Sequence, residues 1–160
     1  RNQKSKQEAP FVSSISIRPA IIEDAPLILT FVKELAAYEK APHEVTATVE
    51  NYETTFFAKN PFVHGLIIER QAIPIGSAVY FFNYSTWQGK PGLYLEDLYI
   101  SPDYRSSGAG KALLRHLAKL IKPDSGQILI DNENINFEPG VRVEQSYRYS
   151  MVFQTSALYA

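Results

Sequence analysis

The sequence contains no cysteine, which excludes disulfides, a thiolate nucleophile and cysteine-based metal sites. It also lacks an excess of either charge, since 16 Lys and Arg stand against 17 Asp and Glu. Nucleic-acid binding depends on clustered positive charge, so we expect no nucleic-acid partner. No apolar run approaches the roughly 18 residues of a membrane span, so we expect no membrane partner. A reducing compartment fits the absence of cysteine, and the cytoplasm is the expected location.

The length of 160 residues is that of one domain, and 45% of the residues are hydrophobic, which is enough for one core. Residues 1–10 are polar and lack the apolar middle of a secretory signal, so they are predicted to form a flexible N-terminal extension. Residues 11–160 are predicted to form a single domain.

Apolar spacing predicts an α+β domain in the order β, α, α, β, β, β, α, β, with an unassigned end. The predicted strands cover residues 15–19, 63–69, 73–82, 93–100 and 128–130, with further strand character in 141–153. Asp24 is predicted to cap a first helix that continues to about Tyr38; a second covers 49–57 and a third begins at Gly110. Short links between successive strands favour an antiparallel meander, with residues 84–92 as a loop.

A glycine-containing loop joins the last long strand to the third helix and carries Arg105, Gly108 and Gly110. Glycines allow successive backbone N–H groups to turn toward one point, and a helix N-terminus adds about half a positive charge there. The loop therefore predicts an anion site suited to a pyrophosphate. A tight strand-to-helix turn without a ligand is the alternative.

The run Arg105-Ser-Ser-Gly108-Ala-Gly110 resembles the acetyl-coenzyme A loop of the GNAT N-acetyltransferases. Five further segments resemble the spermidine/spermine (diamine) and thialysine N-acetyltransferase branch: LAAYEK at 35–40, NPF at 60–62, YFF at 80–82, YSTW at 84–87 and YLEDLY at 94–99. The resemblance implies a GNAT fold, with a mixed, mostly antiparallel central sheet flanked by helices. The acetyl-CoA loop would lie between a central strand and the following helix. It also implies an acetyl-CoA-dependent N-acetyltransferase without a metal, in a homodimer.

Glu96 and Asp97 are neighbours on a predicted strand, so strand alternation predicts that they face opposite sides of the sheet. An amine reaches the enzyme as an ammonium and must lose a proton before it attacks a thioester, so a carboxylate can serve both as base and as cation anchor. The resemblance assigns the base to Glu96. It implies an amine site that includes Tyr38, Glu39, Glu96 and Asp97, and Trp87 is a candidate to flank a cationic chain. The alternatives are an ordinary ion pair for one carboxylate and an exposed loop position for Trp87.

The resemblance also implies a cofactor site. Backbone N–H groups of Leu98, Tyr99 and Ile100 would hold the pantetheine arm, and the other expected contacts are Arg105, Ser106, Ser107, Gly108, Ala109, Gly110, Lys111 and Asn132. Direct acetyl transfer needs no protein nucleophile, which agrees with the absence of cysteine.

Two departures from the family pattern leave the substrate and the general acid open. Ser85 stands where the polyamine enzymes tend to carry an acid, which should weaken selection for long polycations, so a small diamine or a lysine-like amino acid is the alternative to a polyamine substrate. Glu138 stands where the family has the tyrosine credited with protonating the leaving thiolate; Tyr147, Tyr149 or solvent are the alternatives. Residues 122–145 are atypical or shortened, through divergence, gene damage or residues missing from this sequence. A non-catalytic acetyl-CoA-binding module and a protein N-terminal or lysine acetyltransferase are the alternative functions.

Overall fold

A computed structural model describes residues 14–120 and three short strands beyond them. The main elements are β1 (Ile15–Pro19), α1 (Ala25–Tyr38), α2 (Val49–Phe56), β2 (Val63–Arg70), β3 (Ile73–Ser85), β4 (Lys90–Ile100) and α3 (Ala109–Lys119). The three short strands are β5 (Leu129–Ile130), β6 (Glu133–Asn134) and β7 (Met151–Phe153). The predicted α+β order is confirmed. No helix in this described part of the chain is long and apolar enough to cross a membrane.

The central sheet has the strand order β1-β2-β3-β4-β7. Strands β1 to β4 form an antiparallel meander, and β7 pairs with β4 in parallel opposite Leu93–Leu95. The mixed, mostly antiparallel sheet predicted above is therefore confirmed. Strands β5 and β6 form a separate antiparallel pair.

Alternation along the strands builds one apolar cluster on each face of the sheet. The face toward α3 buries Leu66 and Ile68 of β2 together with Leu113 and Leu117 of α3. Ile67, which lies between those two β2 residues, faces the other side with Ile28 of α1 and Phe56 of α2. Burying each of these large side chains contributes about 1.5–3 kcal/mol, so both layers are firmly attached to the sheet.

The start of α1 differs from the prediction in its hydrogen bonding. Asp24 stands at the N-cap position, but its side chain makes no capping bond to the helix. Its carboxylate instead accepts hydrogen bonds from the Ile21 backbone N–H and from the Arg18 guanidinium, at 2.6 and 3.0 Å for the latter. Arg18 also donates to Glu69 at 2.9 Å, so this buried carboxylate joins α1 to β1 and β2.

The hairpin between β3 and β4 is longer than the sequence pattern suggested. Residues 84–92 were expected to form a loop, but Tyr84 pairs with Pro91 and Ser85 with Lys90, which leaves only residues 86–89 in the turn. Gly89 closes that turn with a φ of 64° and donates its N–H to the Ser85 carbonyl. Cross-strand pairing thus extends both strands beyond their apolar segments.

Candidate active site

A β-bulge in β4 decides how the two acidic residues are presented. The β3–β4 register shifts at Glu96, and Leu95 and Leu98 both lie in the cluster facing α3 although they are three residues apart. Glu96 is the extra residue of the bulge, so strict alternation does not apply to it. The expectation that Glu96 and Asp97 face opposite sides of the sheet rests on a regular strand, and β4 is not regular at this position.

Asp97 lies in an acidic cluster that we define as Glu39, Glu96 and Asp97. It is opposite Val79, whose side chain belongs to the cluster facing α1 and α2, and directly opposite residues share a face. Burial first, and then the negative charges of Glu96 and Glu39, raise the pKa of Asp97 to about 6. Asp97 in turn raises the pKa of Tyr52 on α2, after the larger effect of burial on that phenol. Carboxyl groups from β4 and from the end of α1 therefore influence one another electrostatically. A bound cation would be favoured by this concentration of negative charge.

The end of α1 holds Tyr38 and Glu39 in a fixed turn. The backbone N–H of Ala41 donates to the Ala36 carbonyl at 2.8 Å, and that of Lys40 donates to the Ala37 carbonyl at 3.1 Å. Together with a φ of 62° at Lys40, these bonds form a Schellman motif that terminates the helix. Glu39 is thereby presented beside the bulge rather than on a loose segment.

The loop between β4 and α3 turns its backbone at two residues of positive φ just before a helix N-terminus. After a short turn over Pro102–Tyr104, Ser106 and Gly108 both adopt positive φ, at 60° and 86°. Gly108 is the N-cap of α3, and the first turn of α3 has N–H groups without helical acceptors. α3 begins at Ala109, one residue earlier than predicted, and both Ala109 and Gly110 are buried. Successive N–H groups near a helix N-terminus favour an anion, as the sequence suggested.

The end of β4 presents further backbone groups at its outer edge. The Ser101 N–H donates to the Ile75 carbonyl of β3, so the backbone groups of Tyr99 also face β3. Alternation places those of Leu98 and Ile100 on the opposite edge. Within the described residues, β7 covers that edge only beside residues 93–95. Of the three N–H groups expected to hold a pantetheine arm, Leu98 and Ile100 are thus directed outward.

Arg105 is oriented toward α1. Its Nε–H donates to the Ile100 carbonyl at 2.9 Å, and its guanidinium carbon lies 4.8 Å from the centre of the Tyr38 ring and 5.6 Å from that of Tyr99. Glu34 of α1 lies beside the Tyr99 hydroxyl; burial first, and this carboxylate second, raise the pKa of Tyr99 to about 12. Sequence reasoning placed Arg105 with the anion loop and did not identify Glu34 or Tyr52, whose spacing on their helices is that of ordinary helix positions.

Trp87 is not brought to the acidic cluster of its own chain. It is 98% exposed in the β3–β4 turn. Glu96 lies six residues along β4 from Lys90, the first residue of the strand, or about 20 Å at 3.3 Å per residue. Asn132 and Glu138 lie outside the described residues. Within the described part, no three His, Asp or Glu side chains come close enough together to hold a metal ion.

Residues 29–136, about two thirds of the chain, match the model of the acetyltransferase (GNAT) family. The chain belongs to this family. The thialysine N-epsilon-acetyltransferase of Sus scrofa is 36% identical over 117 residues, 68% of each protein. The spermidine/spermine N(1)-acetyltransferase-like protein 1 of Homo sapiens is 35% identical over 111 residues, 65% of this chain and 16% of that protein. The chain is an N-acetyltransferase acting on amines, and enzymes of this family use acetyl-CoA.

Solved structures agree on the architecture. A possible acetyltransferase from Clostridium difficile superposes with a TM-score of 0.63, covering 90% of this chain and 82% of that one at 14% identity. At that identity the likeness concerns the fold alone, and the GNAT fold expected from the motifs is confirmed.

Proposed function

We propose that this acetyltransferase transfers the acetyl group of acetyl-CoA directly to a primary amine of a small polyamine, diamine or lysine-like substrate. The observation that carries the proposal is the acidic cluster of Glu39, Glu96 and Asp97, because neighbouring carboxylates attract the ammonium group of an amine substrate. The same strand that carries two of these residues leads directly into the anion loop. One relative is called a thialysine N-epsilon-acetyltransferase and another a spermidine/spermine N(1)-acetyltransferase-like protein. Both names support a small amine as the substrate.

The residues present fit acetyl-CoA as the acetyl donor. Positive φ at Ser106 and Gly108 and the start of α3 give an N–H-rich surface for a pyrophosphate. The outward N–H groups of Leu98 and Ile100 suit the amide and carbonyl oxygens of a pantetheine arm. Ser107, Ala109, Gly110 and Lys111 belong to the same loop and first helical turn. When bound, the cofactor supplies an activated acetyl thioester.

The two acidic residues of β4 have distinct proposed roles. Glu96, in the bulge, accepts the proton that the bound ammonium must lose, either directly or through water. Asp97, at the buried side of the cluster, attracts the cation together with Glu39. Tyr38 and Glu39 stand at the end of α1, where an amine approaching the cluster would meet them.

We also propose a homodimer in which Trp87 serves an amine site. Trp87 is exposed in the turn before Lys90, and Lys90 is itself about 20 Å from Glu96 along β4, so we expect Trp87 to reach an acidic cluster only if that cluster belongs to a second copy. A flat aromatic face there would flank the aliphatic or cationic part of the amine. Analytical ultracentrifugation of the protein and of Trp87→Ala, with amine KM for both, tests this proposal. A monomer with full amine turnover contradicts it.

The substrate experiment measures CoA thiol release with spermidine, putrescine, lysine, thialysine and a lysine-containing peptide at matched amine concentration. We expect release with at least one small amine and less with the peptide. Initial rates with both substrates varied should give intersecting rather than parallel lines, because direct transfer requires both to be bound together. Release with the peptide alone would favour the protein-acetylating alternative. No release above hydrolysis with any of the five would contradict the proposed substrate class.

A further inference from the structure

One side chain connects the anion loop to the end of the helix that borders the acidic cluster. Arg105 donates its Nε–H to the carbonyl at the end of β4, Ile100, at 2.9 Å. Its guanidinium carbon lies 4.8 Å from the centre of the ring of Tyr38, and Tyr38 is the last residue of α1. The same group lies 5.6 Å from the Tyr99 ring of β4. We call Arg105, Tyr38, Tyr99 and the Ile100 carbonyl the arginine clamp.

The chemistry of the clamp requires arginine rather than a cation of any kind. A guanidinium is planar, so it can lie over an aromatic ring while an N–H in its own plane donates to a carbonyl. A lysine ammonium is a compact, strongly hydrated point charge on a flexible stem and cannot hold both contacts in this geometry. The hydrogen bond is partly buried, which strengthens it relative to one in bulk water.

The clamp joins two segments that have separate proposed roles. Arg105 is the residue immediately before Ser106, where the backbone takes its first positive φ in the anion loop. Tyr38 is followed by Glu39, whose charge contributes to the field at Asp97. The Arg105 guanidinium carbon, 4.8 Å from the centre of the Tyr38 ring, is thus a side-chain contact between the loop and the end of α1.

We propose that Arg105 is a positioning residue that holds the end of α1, with Tyr38 and Glu39, in register with the acetyl-CoA loop. Its guanidinium therefore acts on the amine side of the reaction as well as on the cofactor side. This inference rests on the proposed function, in which Tyr38 and Glu39 border the amine site. If it holds, loss of the clamp weakens the use of both substrates, whereas a side chain that only contacts phosphate affects acetyl-CoA alone.

The kinetic test compares Arg105→Lys, Tyr38→Leu, Tyr38→Phe and the double variant Arg105→Lys/Tyr38→Leu. We expect Arg105→Lys to raise KM for the amine as well as for acetyl-CoA by roughly three- to ten-fold, the range for losing one aromatic–cation contact and its hydrogen bond. Tyr38→Leu should raise amine KM similarly, and Tyr38→Phe, which keeps the ring beside the guanidinium, should raise it by less than Tyr38→Leu does. The two effects should be less than additive in the double variant, because Tyr38→Leu then removes a ring whose guanidinium partner is already gone.

A second readout does not depend on activity. The chemical shift of the Arg105 Nε–H in a ¹⁵N spectrum depends on the hydrogen bond that this group makes and on the nearby aromatic rings. We expect this chemical shift to be unchanged in Tyr38→Phe and to change in Tyr38→Leu. An unmoved resonance in Tyr38→Leu, additive kinetic effects in the double variant, or a change in acetyl-CoA KM alone in Arg105→Lys would each overturn the inference. If the parent protein acetylates none of the small amines, the proposed function fails, and the resonance still decides whether the clamp exists.

Discussion

Asp97 of β4 lies directly opposite Val79 of β3, on the face of the sheet that packs against α1 and α2. In a regular strand that keeps Leu95 in the cluster facing α3, residue 97 would face α3 as well. The bulge at Glu96 reverses this order: it returns Leu98 to the α3 cluster and moves Asp97 to the side where α1 ends. The single extra residue of the bulge thus places Leu98 in the apolar cluster and Asp97 in the acidic cluster.

The first prediction concerns the pH dependence of amine use. Asp97 has a pKa of about 6, so it loses its negative charge as the pH falls through this value. We expect kcat/KM for the amine to fall with it, because this ratio reports groups of the free enzyme. Asp97→Asn should remove that limb of the profile, and Glu39→Gln should shift it to lower pH by removing a neighbouring negative charge. A limb near pH 6 that persists unchanged in Asp97→Asn would contradict this prediction.

The same carboxyl should reduce stability at neutral pH. Its folded pKa of about 6 is higher than the ordinary unfolded value near ~3.9, so the folded state binds the proton more strongly. Its contribution to stability is fully present below about pH 4 and is lost as the pH rises through about 6. Asp97→Asn should therefore raise the free energy of unfolding at pH 7 by about 1–2 kcal/mol, allowing for partial solvent screening. Urea unfolding at pH 4 and pH 7 checks this, and equal gains at both values would argue against it.

Glu96→Gln tests the proposed proton acceptor. The amide keeps the size of the side chain but cannot accept the proton of an ammonium at neutral pH. We expect turnover to fall by about 10² while acetyl-CoA affinity, measured by calorimetry, stays nearly intact. The matched control is Glu53→Gln on α2, an exposed glutamate of the same type outside the cluster. Equal losses of turnover and acetyl-CoA affinity in Glu96→Gln would indicate a structural role.

The elements themselves were predictable because their apolar spacing is undisturbed. Leu66, Ile67 and Ile68 read as a buried strand, and Leu113 and Leu117 mark one helix face. The turn between β4 and α3 was also predictable, because glycines and a helix start are local signals. These features depend on neighbours in the chain, which sequence patterns report directly.

Other features depend on pairing between distant segments. The bulge at Glu96 follows from the register with β3, and the run of residues 94–100 reads equally well as a regular strand. The bonding of Asp24 depends on Arg18, whose second partner Glu69 is 51 residues away. The separation of Trp87 from the acidic cluster follows from the length of the β3–β4 pairing, which carries Tyr84 into the strand. The local sequence around these residues does not indicate any of these relationships.

Asp24→Asn should destabilise the fold and change its acid sensitivity. The bond from Arg18 lowers the pKa of Asp24, so the stabilisation is present above the ordinary carboxyl pKa and is lost as the pH falls through the lower folded value. At pH 7 we expect a loss of about 2–3 kcal/mol, because the Arg18 guanidinium is left without its two-point partner. Glu23→Gln, at the neighbouring exposed position, should stay within about 0.5 kcal/mol. Similar urea midpoints for the two variants would refute this.

Ser107→Gly should destabilise the protein, whereas Ser106→Gly should leave its stability unchanged or raise it. Ser106 has a φ of 60°, where an L-residue is strained by about 1–2 kcal/mol and glycine is not. Glycine also gives the unfolded chain more conformational freedom, which lowers the free energy of unfolding by up to about 1 kcal/mol. The net effect of Ser106→Gly is therefore a free energy of unfolding that is unchanged or higher by up to about 1 kcal/mol.

Ser107 has no positive φ to relieve, and its hydroxyl donates to the Tyr104 carbonyl. Ser107→Gly loses that bond and adds unfolded-state freedom, so we expect about 1–2 kcal/mol of destabilisation. Because the two positions are adjacent in the same loop, solvent exposure and distance from α3 are nearly matched between them. A urea unfolding series in which Ser106→Gly is the less stable of the pair would show that backbone strain does not govern this loop.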